Sequence, residues 1–234
     1  MQYINNIRYT DSGPCNGGPG FPAVVLISDM FISTGMFKKQ EFFLSRKYRV
    51  VCIDVNAGDM SLLSKCDYHL CIQEMTNKVI EIIGELAIDK FVACGFRTGG
   101  VICLNIGIEY RERLCGIIIM GVGSEKFIHY NKYMYSWSDG EYNKNAYLTL
   151  SGDNLSLIAL PEYIINRLDS IHQPVLVIHG DADDEASVYS VIKLSEMLKY
   201  SRMIFVPGGR GCLMLTHCQT VNNVILYWLN DYFC

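Results

Sequence analysis

The chain has 234 residues, of which 50% are hydrophobic and 19% are charged, and its formal net charge is −4. This length suits one α/β domain with a single large core. The 20 Lys and Arg residues are spread along the chain, which argues against nucleic acid as a partner. The first residues lack the basic and apolar segments of a signal peptide, and no apolar run approaches the ~18 residues of a membrane span. We therefore expect one soluble cytoplasmic domain, over residues 1–234, without membrane contact.

The ten cysteines favour reduced core thiols over disulfide bonds. Several lie inside apolar segments, and no Cys-x-x-Cys pair occurs. The apolar positions are Cys52, Cys94, Cys103 and Cys115. The pattern predicts neither a metal site nor a cofactor.

Strand-like and helix-like segments alternate along the first half of the chain. An opening strand is predicted at residues 2–9, and a continuous apolar run at Ala23–Ile27 is typical of a central parallel strand. A helix at Gly35–Arg46, a strand at Tyr48–Val55 and a helix at Tyr68–Leu86 follow. This alternation predicts a doubly wound α/β fold.

The stretch from Lys90 to Gly121 reads as strand, sharp turn, helix and strand, which is one parallel βαβ unit. At its turn, Gly95 and Gly99 flank Arg97 with the spacing of a nucleophile elbow, where glycines let strand and helix pack closely. Arg97 cannot act as the nucleophile, because a guanidinium stays protonated in proteins and has no lone pair to offer.

The last third continues the α/β pattern. Residues 173–180 predict a strand that leads to Asp183, and residues 188–199 predict a helix. A strand at 202–206 precedes the loop Pro207–Cys212, and Thr216 is a candidate cap for the closing helix.

These motifs together resemble the α/β-hydrolase superfamily, and most of all its small single-domain carboxylic-ester hydrolases of the valacyclovir-hydrolase type. The resemblance runs from Ala23 to Leu229. It implies a mostly parallel sheet with helices on both faces. It also implies a serine at the position of Arg97, an acid at Asp183, a histidine at Gly211 and an oxyanion-hole His-Gly pair where this chain has Ser28-Asp29. Of these catalytic features, the chain keeps the acid.

Loss of the serine, the histidine and the His-Gly pair at separate loops predicts a pseudo-hydrolase, a chain no longer maintained for acyl transfer. The competing hypothesis is a hydrolase or lyase that uses Ser28, Cys94, Cys212 or His217 in another arrangement. Such an enzyme needs a hydroxyl or thiol within about 2.6 to 3.2 Å of an imidazole at the pocket.

Residues 122–170 interrupt the alternation, at the point where α/β-hydrolases insert a cap, and predict a short, reduced lid. Seven aromatic residues, among them Trp137, lie between positions 127 and 147 among Asn, Lys and Ser. They either pack the lid onto the body or form a surface for a ligand or a protein partner.

Arg97 is the residue that directs our functional hypothesis. If the elbow conformation is kept, its side chain enters the former active-site pocket beside the start of a helix. The pocket then either binds a small carboxylate or phosphate, or is closed by an ion pair from Arg97 to Asp183 or Asp29. The candidate pocket residues are Ser28, Asp29, Arg97, Thr98, Asp183 and Trp137.

Overall fold

The structure is a computed structural model that describes residues 2–14, 20–30, 34–55, 68–124, 134–138, 141–146, 160–183 and 186–233. At residues 34, 68, 134–138 and 141–146 the description covers the backbone alone.

Eight strands form one mostly parallel sheet. They are β1 Gln2–Ile4, β2 Ile7–Asp11, β3 Ala23–Ile27, β4 Val50–Asp54, β5 Phe91–Phe96, β6 Leu114–Met120, β9 Val175–Gly180 and β10 Ser201–Val206. Their order in the sheet is β1-β2-β4-β3-β5-β6-β9-β10. Strand β2 is antiparallel to both of its neighbours, and the six strands from β4 to β10 in this order run parallel. A separate antiparallel hairpin consists of β7 Met134–Ser138 and β8 Glu141–Ala146.

The helices are α1 Lys38–Leu44, α2 Tyr68–Glu85, α3 Thr98–Glu109, α4 Glu162–Ile165, α5 Val188–Met197, α6 Leu213–Thr216 and α7 Cys218–Phe233. Helix α1 packs against α6 and α7, whereas α2 packs against α3. Strands β3, β4 and β5 are buried along their whole length, as their unbroken apolar sequences predict. In the part of the chain that is described, no helix is both long and apolar enough to cross a membrane.

Two boundary predictions were wrong. The predicted opening strand is a hairpin, because Asn5 and Asn6 both adopt positive φ (48° and 63°) and turn the chain back on itself. Thr216 does not cap the closing helix. It ends α6, and the His217 carbonyl instead accepts the first bond of α7, from the Val221 N–H at 3.0 Å.

The cysteine prediction is confirmed for the core positions. Cys52, Cys94 and Cys103 are buried free thiols, and burial raises the pKa of each. Cys115 is a free thiol that is half-buried. The assignment of residues 122–170 to a lid stays a prediction, since most of that segment lies outside the described residues.

Candidate functional site

Four loops that carry candidate residues follow parallel strands, so their first residues meet at one edge of the sheet. Asp29 follows β3, Arg97 follows β5, Asp183 follows β9 and Gly211 follows β10. The carboxyl edge of a parallel sheet is where open α/β folds bind their ligands.

The turn between β5 and α3 keeps the strained backbone of a nucleophile elbow. Arg97 adopts φ 47° and ψ −112°, outside the favoured regions for a residue with a side chain. Its N–H donates to the Met120 carbonyl at 2.9 Å, and its own carbonyl accepts from the Val101 N–H at 3.0 Å to begin the helix. The turn therefore has the geometry of a nucleophile elbow, with an arginine at its centre.

The Arg97 side chain extends across this edge of the sheet. It is 8% exposed, and its guanidinium carbon lies 4.8 Å from the centre of the Phe96 ring. A Cβ built on Gly211 would lie 3.6 Å from the Arg97 Nη2 atom. The guanidinium thus occupies the space that a side chain at position 211 would contact.

The Asp29 carboxylate lies at the start of α3. Asp29 is 1% exposed, and the Thr98 hydroxyl and the N–H groups of Thr98 and Met30 lie close enough to lower its pKa. None of them completes a hydrogen bond of ordinary length and angle to either oxygen. Burial is the largest influence and raises the pKa of Asp29 above its usual range, against the opposing charge of Arg97.

The Ser28 side chain joins β3 to β4. Its hydroxyl donates to Asp54 Oδ1 at 3.3 Å and accepts from the Val55 N–H at 3.1 Å. Asp54 in turn forms an ion pair with Arg8 on β2. These contacts explain why Ser28 is fully buried, and they do not support the pocket role predicted for it.

Asp183 and His179 organise the loop after β9. Asp183 Oδ1 accepts from the Ala186 N–H at 3.2 Å, and His179 Nε2 lies 2.9 Å from the Ala186 carbonyl oxygen. A carbonyl can only accept, so His179 carries its proton on Nε2. Burial is the largest influence on His179 and lowers its pKa, although the Asp183 charge and the Ala186 carbonyl act the other way.

His179 should make the protein sensitive to mild acid. A histidine whose folded-state pKa is lowered contributes stability that is complete above about pH 6.5 and is lost as the pH falls below that value. We expect the free energy of unfolding of His179→Gln to depend less on pH below about 6.5 than that of the wild type, as measured by urea unfolding at a series of pH values. His172→Gln is the control, because His172 is exposed. An unchanged profile in His179→Gln would refute the assignment.

Two of the alternative nucleophiles are poorly placed for chemistry. Cys94 is fully buried inside β5, and Cys212 is buried at the start of α6. A hydroxyl–imidazole contact does occur at the end of α6, where Thr216 Oγ1 lies 2.9 Å from His217 Nδ1. The Thr216 hydroxyl has a single proton, and the Cys212 carbonyl oxygen at 3.2 Å competes with the imidazole for it, which argues against this pair as a nucleophile with its base.

The last two predicted pocket residues are Thr98, whose side chain the structure describes, and Trp137, for which it describes the backbone alone. Thr98 is the first residue of α3 and is buried against Asp29. The backbone of Trp137 lies in β7, and its side chain is outside the described residues. Within the described ranges, no three His, Cys, Asp or Glu side chains converge as a metal site would require.

Comparison with known proteins identifies the fold. No family model matches the chain. Over 125 residues the chain is 29% identical to 3-oxoadipate enol-lactonase 1 of Acinetobacter baylyi, a match that covers 51% of this chain and 46% of the lactonase. The match therefore spans about half the length of this curated relative.

Two solved structures extend the comparison to nearly the whole chain. An esterase from Thermogutta terrifontis with malate bound has a TM-score of 0.72 at 15% identity, with 97% of this chain and 94% of the esterase covered. An α/β-hydrolase from a lagoon-sediment metagenome of Mar Chica, Morocco, has a TM-score of 0.71 at 15% identity, with 98% and 97% covered. The chain has the α/β-hydrolase fold. This confirms the fold predicted from the sequence.

In α/β-hydrolases, loops at this edge of the sheet carry the nucleophile, the acid and the oxyanion hole. The oxyanion hole of this fold uses the N–H after the nucleophile and an N–H from the loop after β3. In this chain those groups lie beside the Asp29 carboxylate. Arg97 lies at the centre of the elbow turn and Asp183 follows β9, and their assignment to the nucleophile and acid positions stays a prediction. The sequence named Asp29 as a possible partner of Arg97 at this edge, and in the structure the charge of Arg97 does act on the buried Asp29 carboxylate.

Proposed function

We propose that this chain is a catalytically inactive protein of the α/β-hydrolase fold that acts by binding at its remnant pocket. The observation that carries the proposal is Arg97, whose guanidinium lies at the elbow and reaches the loop at Gly211. An arginine at this point supplies a fixed positive charge and no nucleophile.

A small carboxylate is the ligand class that we favour for the pocket, with phosphate as the second anion of matching charge. A guanidinium presents two parallel N–H donors that fit either anion. The Thermogutta terrifontis esterase has malate bound, so a protein of this fold is known with a small carboxylate ligand.

Two other functions remain proposals. A protein partner could use the aromatic lid, whose side chains lie outside the described residues. A hydrolase or lyase with unusual catalytic residues is the alternative enzyme, for which the esterase and lactonase relatives are the support. The Thr216–His217 contact is the described pair that comes nearest to its requirements, and competition from the Cys212 carbonyl for the hydroxyl proton argues against it.

Thermal unfolding with acetate, malonate and inorganic phosphate tests the binding proposal. At about ten times the dissociation constant, a bound anion should raise the melting temperature by about 3 to 5 °C. Arg97→Met should abolish this shift, because methionine keeps much of the side-chain volume and removes the charge. Arg111→Met is the control, since Arg111 is exposed in the loop between α3 and β6. Equal shifts in all three proteins would rule out a site at Arg97.

A further inference from the structure

Asp29 is a buried carboxylate beside a site whose geometry suits an anion. The end of β3 lies directly against the start of α3, since a Cβ built on Gly99 would meet the Ile27 carbonyl oxygen at 2.2 Å and the Ser28 carbonyl oxygen at 2.6 Å. Asp29 is the next residue along the chain. Its side chain is therefore held at the positive end of a twelve-residue helix.

The donors around Asp29 are those that would otherwise receive an external anion. The N–H groups of Thr98 and Met30 and the Thr98 hydroxyl lie beside its carboxylate, and Arg97 supplies the positive charge. Both Asp29 oxygens are buried, yet neither completes an ordinary hydrogen bond with a described residue. The carboxylate thus lies among these donors without saturating them, so an incoming anion could exchange with it.

We infer that Asp29 is the internal occupant of this anion site, and that a small external carboxylate binds beside Arg97 only as Asp29 takes up a proton from solvent. The inference rests on the proposed function, because it requires the pocket to admit a carboxylate. It makes Asp29 a regulator of the site: the charged side chain competes with the ligand, and the neutral one does not.

The described residues place several other charged groups near this edge. Arg97 faces Asp29 from the α3 side. On the β4 side, the nearest pair is Arg8 with Asp54, which contacts β3 through the Ser28 hydroxyl. Two described acids follow β9: Asp181 is exposed and accepts from the Gly208 N–H at 2.6 Å, whereas Asp183 is half-buried and could also take up a proton. The experiment therefore has to separate Asp29 from Asp183.

The test is acetate binding, measured by calorimetry between about pH 5.5 and pH 8.5, where acetate itself stays ionised. While Asp29 is charged in the free protein, uptake of one proton on binding makes the wild-type affinity fall about tenfold per pH unit. Asp29→Asn should bind acetate more tightly than wild type at the upper end of the range and should show no such slope. Asp29→Ser serves as a second neutral variant if Asp29→Asn does not fold.

Two control variants test whether Asp29 is the residue that takes up the proton. Asp89→Asn removes an exposed acid that precedes β5, at the opposite edge of the sheet, and should keep the wild-type slope. Asp183→Asn should also keep the slope. Loss of the slope in that variant alone would show that Asp183, and not Asp29, takes up the proton, and would overturn the inference.

The remaining outcomes separate the two proposals. Equal and pH-independent affinity in wild type and Asp29→Asn would overturn the inference and leave the binding proposal intact. Absence of acetate binding in wild type and in both Asp29 variants, all folded, would overturn both.

Discussion

Replacing Gly99 by alanine should lower the free energy of unfolding by about 3 kcal/mol or more, because the new methyl group overlaps backbone atoms. A Cβ at this position would lie 2.2 Å from the Ile27 carbonyl oxygen and 2.9 Å from the Ile27 carbonyl carbon. Neither atom belongs to a flexible side chain that could move aside. The helix and the strand would have to separate, and the elbow would be lost.

Gly84→Ala is the matched control for that prediction. Gly84 lies inside α2, and a Cβ there would meet no atom within 4 Å. Alanine should therefore stabilise the protein by about 1 kcal/mol through helix propensity alone. Urea unfolding followed by circular dichroism measures both variants. Similar effects of the two substitutions would show that the close packing at the elbow is not what holds β3 against α3.

The second large effect is expected from removing the Arg97 charge. Arg97→Met should destabilise the protein by about 3 kcal/mol at about pH 8, because it leaves the buried Asp29 carboxylate without its opposing charge. Burial raises the pKa of Asp29, and Arg97 is the charge that opposes this rise. A group with a raised folded-state pKa is best tolerated in its protonated form. The loss should therefore shrink as the pH falls and Asp29 becomes neutral.

A double-mutant cycle isolates the contact between the two residues. In an Asp29→Asn background, Arg97→Met should cost less at about pH 8 than it does alone, with a coupling of about 1 kcal/mol or more. The free energies come from urea unfolding of the four proteins at about pH 8 and about pH 4. Additive effects at the higher pH would mean that Arg97 does not compensate Asp29.

The sequence predicted the sheet well because its signals are local. Unbroken apolar runs such as Ala23–Ile27 mark central strands, and glycines at 95 and 99 mark the elbow. Each of these features depends on residues that are neighbours along the chain. The opening hairpin escaped prediction because two asparagines with positive φ, and no glycine, make its turn.

The candidate site was predicted less well because it depends on the directions in which side chains point. Ser28 and Asp29 are adjacent, but one joins β3 to β4 while the other lies at the start of α3. Which residue faces which way is decided by how β3 ends against Gly99, a contact between distant parts of the chain. The reach of Arg97 to Gly211 is likewise visible only in three dimensions.

The three departures from hydrolase pattern have different physical consequences. On the proposal above, Arg97 takes the place of a nucleophile and extends across the site. Gly211 faces the guanidinium, which a Cβ at this position would contact at 3.6 Å. Asp29 brings a negative charge to the N–H groups that would stabilise an oxyanion, so acyl transfer would be opposed even if a nucleophile were restored. These effects act on one site and support the view that the pocket has changed from catalysis to binding.

Hydrolysis of p-nitrophenyl acetate, butyrate and octanoate by the purified wild type tests the central claim most directly. The account predicts a rate equal to that of buffer and of Arg97→Met, because no nucleophile stands at the elbow and Asp29 lies at the oxyanion position. Saturable turnover above background that survives in Arg97→Met and disappears in His217→Ala would contradict it and identify a hydrolase with a different catalytic arrangement.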